Sequence, residues 1–143
     1  MSEYLNSRYM NQLFTHLTLL GGVASIFFYC TSKPDCYELT GRWTNREGQV
    51  FVFQPEGKGL WLLKFGGEYD TFPVRYSYDC TQQPIALDLT DFKSGPLMGK
   101  TLFGILEWAS DTSFRFDAEP GTSPEERPKA FNVEQTTRYI REK

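Results

Sequence analysis

The three cysteines are the residues of this chain best suited to covalent chemistry. Cys30 closes an apolar run, residues 13–30, that contains no Lys, Arg, Asp or Glu, and a cysteine at the end of an exported leader is a site for lipidation. A buried thiol at the end of a membrane helix is the alternative. Cys36 and Cys80 then remain as an even pair, which predicts a disulfide worth about 4 kcal/mol in an oxidising compartment, although two free thiols fit the same count.

The residues needed for enzymatic catalysis do not come together in the sequence after the apolar run. His16 is the only histidine and lies inside that run, so no Ser–His or Cys–His pair is available beyond it. Asp88, Glu107 and Asp117 lie on predicted strands, where each could be a buried acid or, more simply, a structural ion-pair partner of one of the arginines at 42, 75, 115 and 127. With no C-x-x-C and no phosphate-binding loop, we expect a non-enzymatic protein without metal or cofactor.

Aromatic residues are unusually abundant, at 16% of the chain. A closed barrel of about eight strands has room for its own side chains or for one small ligand. The interior therefore either binds a small apolar molecule or is filled by aromatic side chains alone. The predicted lining residues are Trp43, Phe51, Phe53, Trp61, Phe72, Tyr76, Phe103, Trp108, Phe114 and Phe116.

Residues 1–30 are predicted to be a signal peptide or a membrane-anchor segment. The apolar run has a length between that of a signal-peptide core and that of a minimal membrane span, and a cytosolic helix this apolar would lack partners in a β-rich remainder. Cleavage after the run, retention as a single span, and cleavage before Cys30 with lipidation all remain open. Residues 31–37 form a polar tether and residues 38–143 the folded domain. We therefore expect an exported, membrane-attached protein of the cell envelope or periplasm.

After the tether, short alternating stretches are separated by Gly, Pro and Asp turns, which predicts an all-β antiparallel meander of eight or nine strands. A meander of this size forms either a barrel or a sandwich. The predicted strands cover residues 38–44, 50–53, 60–65, 71–78, 85–89, 101–108 and 113–117, with one or two more at 131–133 and 137–140, and polar loops at 91–99 and 119–129. The net charge of −3, with scattered basic residues, argues against nucleic acid as a partner.

The opening strand, Leu39-Thr40-Gly41-Arg42-Trp43, resembles the G-x-W start of lipocalin-like barrels. Segments 83–89, 102–108 and 113–116, and an R-P-x-x-F block within residues 126–131, follow in the order typical of an uncharacterised bacterial lipocalin-like family. The resemblance implies a small up-and-down barrel, exported and often membrane-tethered, with no known catalytic residues. It also implies that Trp43 plugs one end of the barrel. We expect Arg127, or a late-strand arginine such as Arg138, to lie across its ring as a cation–π partner.

Two functions follow from these observations. The first is a non-enzymatic, membrane-tethered lipocalin-like protein that binds a small apolar ligand in its barrel. The second is an envelope accessory module with a filled core, which binds another envelope protein through its loops or rim. An esterase-like or isomerase-like enzyme is the least supported, because no nucleophile–base pair is visible in the sequence.

Overall fold

The structure is a computed structural model that describes residues 35–143, so the apolar run, Cys30 and the start of the tether lie outside the described residues. Within the described range, no helix is long and apolar enough to cross a membrane. The chain from residue 35 onward forms eight strands: β1 (Gly41–Thr44), β2 (Gln49–Gln54), β3 (Lys58–Phe65), β4 (Glu68–Asp79), β5 (Ile85–Thr90), β6 (Thr101–Ser110), β7 (Ser113–Gly121) and β8 (Thr137–Arg141).

Each strand pairs antiparallel with the next, and β8 pairs with β1 to close the barrel. The closure decides between the two predicted architectures in favour of the barrel. Alternation on the strands explains which face is inside. In β4, for example, Val74 is buried and Phe72 packs against the core, while Pro73 and Arg75 between and beside them are exposed.

Residues 131–133 were predicted as a possible strand, and they lie instead in a loop that covers residues 122–136. Asp117 on β7 holds the second half of this loop, because its carboxylate accepts hydrogen bonds from the Asn132 N–H at 2.7 Å and the Thr136 hydroxyl at 3.1 Å. In the first half, the Glu126 carboxylate accepts the Ser123 N–H at 3.0 Å, and such backbone bonds lower the pKa of Glu126. The loop also begins later than predicted, because β7 continues to Gly121.

The two ends of the barrel differ. The closed end carries the β2–β3, β4–β5 and β6–β7 turns, and it is also where the chain enters β1 and leaves β8. The mouth carries the β1–β2 and β3–β4 turns and the two long loops, residues 91–100 and 122–136. The interior is plugged by side chains at the closed end and is open at the mouth.

Candidate binding site in the barrel

Trp43 fills the closed end. Its side chain has no exposed surface, and its indole N–H donates to the Leu39 carbonyl at 2.7 Å. Its ring centroid lies 4.8 Å from that of Phe114 and 5.5 Å from that of Trp108, so three aromatic rings pack together at this end.

A late-strand arginine covers the Trp43 ring, as predicted, but it is Arg141 at the end of β8 and not Arg138 or Arg127. The Arg141 guanidinium lies 4.3 Å from the ring centroid, within cation–π range. It also donates to the carbonyls of Thr40 at 2.7 Å and Glu38 at 2.6 Å. Gly41 makes this approach possible, because a Cβ there would meet the Arg141 guanidinium at 2.7 Å and because its φ of +137° is strained for other residues.

Residues 35–40 cross the closed end and seal it. Cys36 and Cys80 form a disulfide, which confirms the predicted pair. Tyr37 packs edge-on against Trp108, with 5.5 Å between ring centroids. The Tyr78 hydroxyl accepts the Trp108 indole N–H at 2.6 Å and donates to the Tyr37 carbonyl at 3.3 Å, and burial raises the pKa of this phenol. The closed end is therefore held by a covalent bond and by a chain of polar contacts.

The predicted lining aromatics all belong to the interior core or pack against it, with one exception. Phe103 lies on the outer face of β6, opposite Asp88 and Glu119, and so does not line the interior. There it lies 6.0 Å from the guanidinium of Arg127, which pairs with Asp88 at 2.5 Å. Alternation alone could not place Phe103, because both faces of β6 are apolar.

An open cavity of about 270 Å³ remains in the mouth half of the barrel. Its walls combine inward-facing residues of β2, β3, β6, β7 and β8 with one residue from each long loop. The lining residues are Gln49, Phe51, Trp61, Leu97, Leu102, Phe116, Ala118, Pro120, Gln135, Thr137 and Tyr139. The volume is close to the lower limit of known small-molecule sites.

Strand pairing explains where the cavity lies. β8 pairs with β7 only as far as the Phe116–Thr137 pair, whereas β7 continues along β6 to Gly121. The last part of β7 therefore has one strand neighbour, and the loop 122–136 supplies Gln135 on its other side. Across the mouth, loop 91–100 inserts Phe92, whose ring lies 5.7 Å from that of Trp61 and is only 3% exposed.

The cavity is mostly apolar but contains a few polar groups. The Tyr139 hydroxyl donates to Gln49 Oε1 at 3.0 Å, and burial raises the pKa of Tyr139 well above its ordinary value. The indole N–H of Trp61 is buried and has no hydrogen-bond partner among the described residues. No charged side chain is found among the described residues that line the cavity.

Sequence reasoning identified Phe51, Trp61 and Phe116 on the cavity wall but missed Leu97, Leu102, Ala118 and Tyr139. Period-2 alternation could not have found Leu102 or Tyr139, because both faces of β6 are apolar and because Tyr139 lies on β8 between Arg138 and the apolar Ile140. Leu97 carries no such signal, because it lies in a loop whose path depends on Phe92 and on the contact between Gly95 and the Phe72 ring.

The described residues thus form a closed, eight-stranded, up-and-down antiparallel barrel with one plugged end and one cavity-bearing mouth. Comparison with known proteins finds no matching family model, curated protein or solved structure. From Asp35 to Lys143, no group of three or more His, Cys, Asp or Glu residues is arranged to hold a metal ion.

Proposed function

We propose that this protein is a non-enzymatic binding protein, which holds one small, largely apolar molecule in the mouth cavity of its barrel. The observation that carries the proposal is the cavity itself, with its aromatic and aliphatic walls and few polar groups. Such a composition is typical of small-molecule sites. The cavity opens to solvent at the mouth, so a small molecule can reach its walls from outside the barrel.

The size of the cavity limits the ligand. Its volume equals that of about nine water molecules in the liquid, and a methylene group takes up a similar space, so a chain of about eight to ten carbons or one substituted ring fits. The only hydroxyls on its wall belong to Thr137 and Tyr139, and no general base of the described chain lines the cavity beside them. Binding without chemical conversion is therefore the activity that these residues support.

Export and membrane attachment are part of the same proposal. The Cys36–Cys80 disulfide supports an oxidising compartment, because such bonds are rare in the cytosol. The apolar run before Cys30 supports a leader or anchor. An eight-stranded up-and-down barrel is also the architecture of lipocalins, which supports the lipocalin-like assignment without establishing it.

The test is the binding of 1-aminonaphthalene, a neutral fluorescent molecule about the size of a ten-carbon chain, to the full chain. Ala118 lines the cavity, so Ala118→Leu should fill it and weaken binding at least tenfold. Ala109→Leu makes the same change at an exposed position on β6 and should leave the affinity unchanged. Equal, non-saturable binding by the wild type and both variants would refute the proposal.

A second function, an accessory module for another envelope protein, is favoured by one observation. Large apolar side chains are exposed at the mouth: Phe65, the last residue of β3, is 60% exposed, and Met98 in loop 91–100 is 66% exposed. In this case the full chain would bind no neutral probe but would retain an envelope partner on purification, and Phe65→Ser with Met98→Ser would release it.

A further inference from the structure

Loop 91–100, which joins β5 to β6 at the mouth, is held together mainly by bonds within itself. In the part of the chain that the structure describes, each of its backbone hydrogen bonds joins two residues of the loop, with N···O distances between 2.9 and 3.3 Å. Its ion pair, between Lys93 and Asp91, is internal as well. The loop can therefore keep its shape while it moves as one unit.

A few apolar contacts dock this loop in the mouth. Phe92 is 3% exposed and lies edge-on to Trp61, with 5.7 Å between the ring centroids. Gly95 lies so close to Phe72 that a Cβ would meet the ring at 2.4 Å. Leu97 is half-buried and lines the cavity, and the rest of the loop is exposed. A segment with so few buried contacts opens at a low cost in free energy.

The ends of the loop and its neighbour show where such a movement would occur. Asp91 and Gly99 have φ values of +64° and +75°, so the chain turns sharply near both ends, and a few positions of this kind absorb the dihedral changes of a hinge. The other long loop, residues 122–136, is tied to β7 by the Asp117 carboxylate. Among the described residues, loop 91–100 has no comparable polar bond to a strand.

Building on the proposed function, we propose that loop 91–100 is a hinged lid on the mouth cavity, which undocks as a unit and which a bound ligand closes. A ligand in the cavity contacts Leu97 only while the loop is docked, and this difference in contacts shifts the population towards the docked state. Phe92 packs on Trp61 and is not one of the residues that line the cavity. It is therefore a positioning residue, which slows ligand release by holding the lid.

The first test uses the unmodified full chain and ¹⁵N relaxation dispersion, which detects the microsecond-to-millisecond exchange typical of loop closure. The amides of loop 91–100 should exchange at one common rate, whereas those of loop 122–136 should not. Saturation with 1-aminonaphthalene should suppress the exchange. A loop 91–100 without exchange, or with exchange that the bound probe leaves unchanged, would overturn the inference.

The second test measures how fast 1-aminonaphthalene leaves the full chain, by stopped-flow dilution of the complex. Phe92→Ala should release it about tenfold faster, because the truncation removes most of the buried surface that docks the lid. Phe131→Ala is the matched control, since it makes the same truncation in the other long loop, where the ring lies 4.0 Å from the Arg115 guanidinium, and it should leave the rate unchanged. Equal rates in the wild type and Phe92→Ala would contradict the lid.

The two proposals fail in different ways. Saturable binding of 1-aminonaphthalene to a chain whose loop 91–100 stays docked would refute the lid and leave the proposed function intact. Failure of the wild type to bind the probe at all would instead refute the proposed function.

Discussion

Trp43→Ala is the substitution that most directly tests how the closed end is built. The ring has no exposed surface, and it contacts Trp108, Phe114 and the Arg141 guanidinium. Truncating a buried tryptophan to alanine costs about 3–5 kcal/mol through lost burial and the cavity that remains. A domain of this size has a total stability of about 5–15 kcal/mol, so the variant should be close to unfolding.

The assay is equilibrium unfolding in urea, followed by far-ultraviolet circular dichroism. With a denaturant dependence of about 2 kcal/mol per molar urea, the midpoint should fall by about 2 M. Trp43→Phe keeps a ring against Phe114 but loses the N–H that binds the Leu39 carbonyl, so it should cost about 1–2 kcal/mol. Thr71→Ala, at an exposed position on β4, should change stability by less than about 0.5 kcal/mol. A loss below about 1 kcal/mol in Trp43→Ala would show that the ring is not a plug.

Three further predictions concern other parts of the barrel. The disulfide closes a loop with a sequence separation of 44. The free energy of unfolding of the double variant Cys36→Ser/Cys80→Ser, measured in urea, should therefore be lower by about 4 kcal/mol because of loop-closure entropy. Two free thiols in the denatured, unreduced wild type would show that the disulfide does not form. Burial raises the pKa of Tyr139 above its unfolded value of about 10, so the contribution of Tyr139 to stability should be constant below that pH and decrease as the pH rises above it. Tyr139→Phe should lose less stability at high pH than the wild type does. A wild-type urea midpoint that is the same at pH 8 and pH 11 would show that ionisation of Tyr139 does not destabilise the fold. Arg127→Ala leaves the Asp88 carboxylate, which is 15% exposed, without its cation, so the free energy of unfolding should fall by about 2–3 kcal/mol in thermal or urea unfolding. The double variant Asp88→Leu/Arg127→Met should regain most of this stability, because it leaves no unpaired charge.

The barrel was predictable because its signals are local and repeated. In β4 the inward-facing residues from Phe72 to Tyr78 alternate with exposed ones, and turn residues such as Gly66 and Gly67 separate the strands. The disulfide was predictable by counting, once Cys30 was assigned to the leader. What closes the barrel is not local, since the pairing of β1 with β8 joins residues about a hundred positions apart.

The cavity and its polar groups could not be predicted for the same reason. Arg141, not Arg127, covers Trp43 because of where β8 ends, and this depends on the length of the loop before it. The strand register turns Phe103 outward, and loop 122–136 buries it there by covering that side of β6, so both faces of the strand are apolar. Gly104 on the inner face shows how finely the interior is filled, because a Cβ there would meet the Phe116 ring at 2.2 Å.

The position of the two chain ends has a consequence for how the protein can be oriented. Arg141 binds the carbonyls of Glu38 and Thr40, and the Glu142 N–H donates to the Arg42 carbonyl at 2.8 Å, so the chain enters and leaves the barrel side by side. Anything joined before residue 35 or after residue 143 is therefore connected to the closed end. A biosensor surface or a fusion partner attached at either side leaves the mouth facing solution.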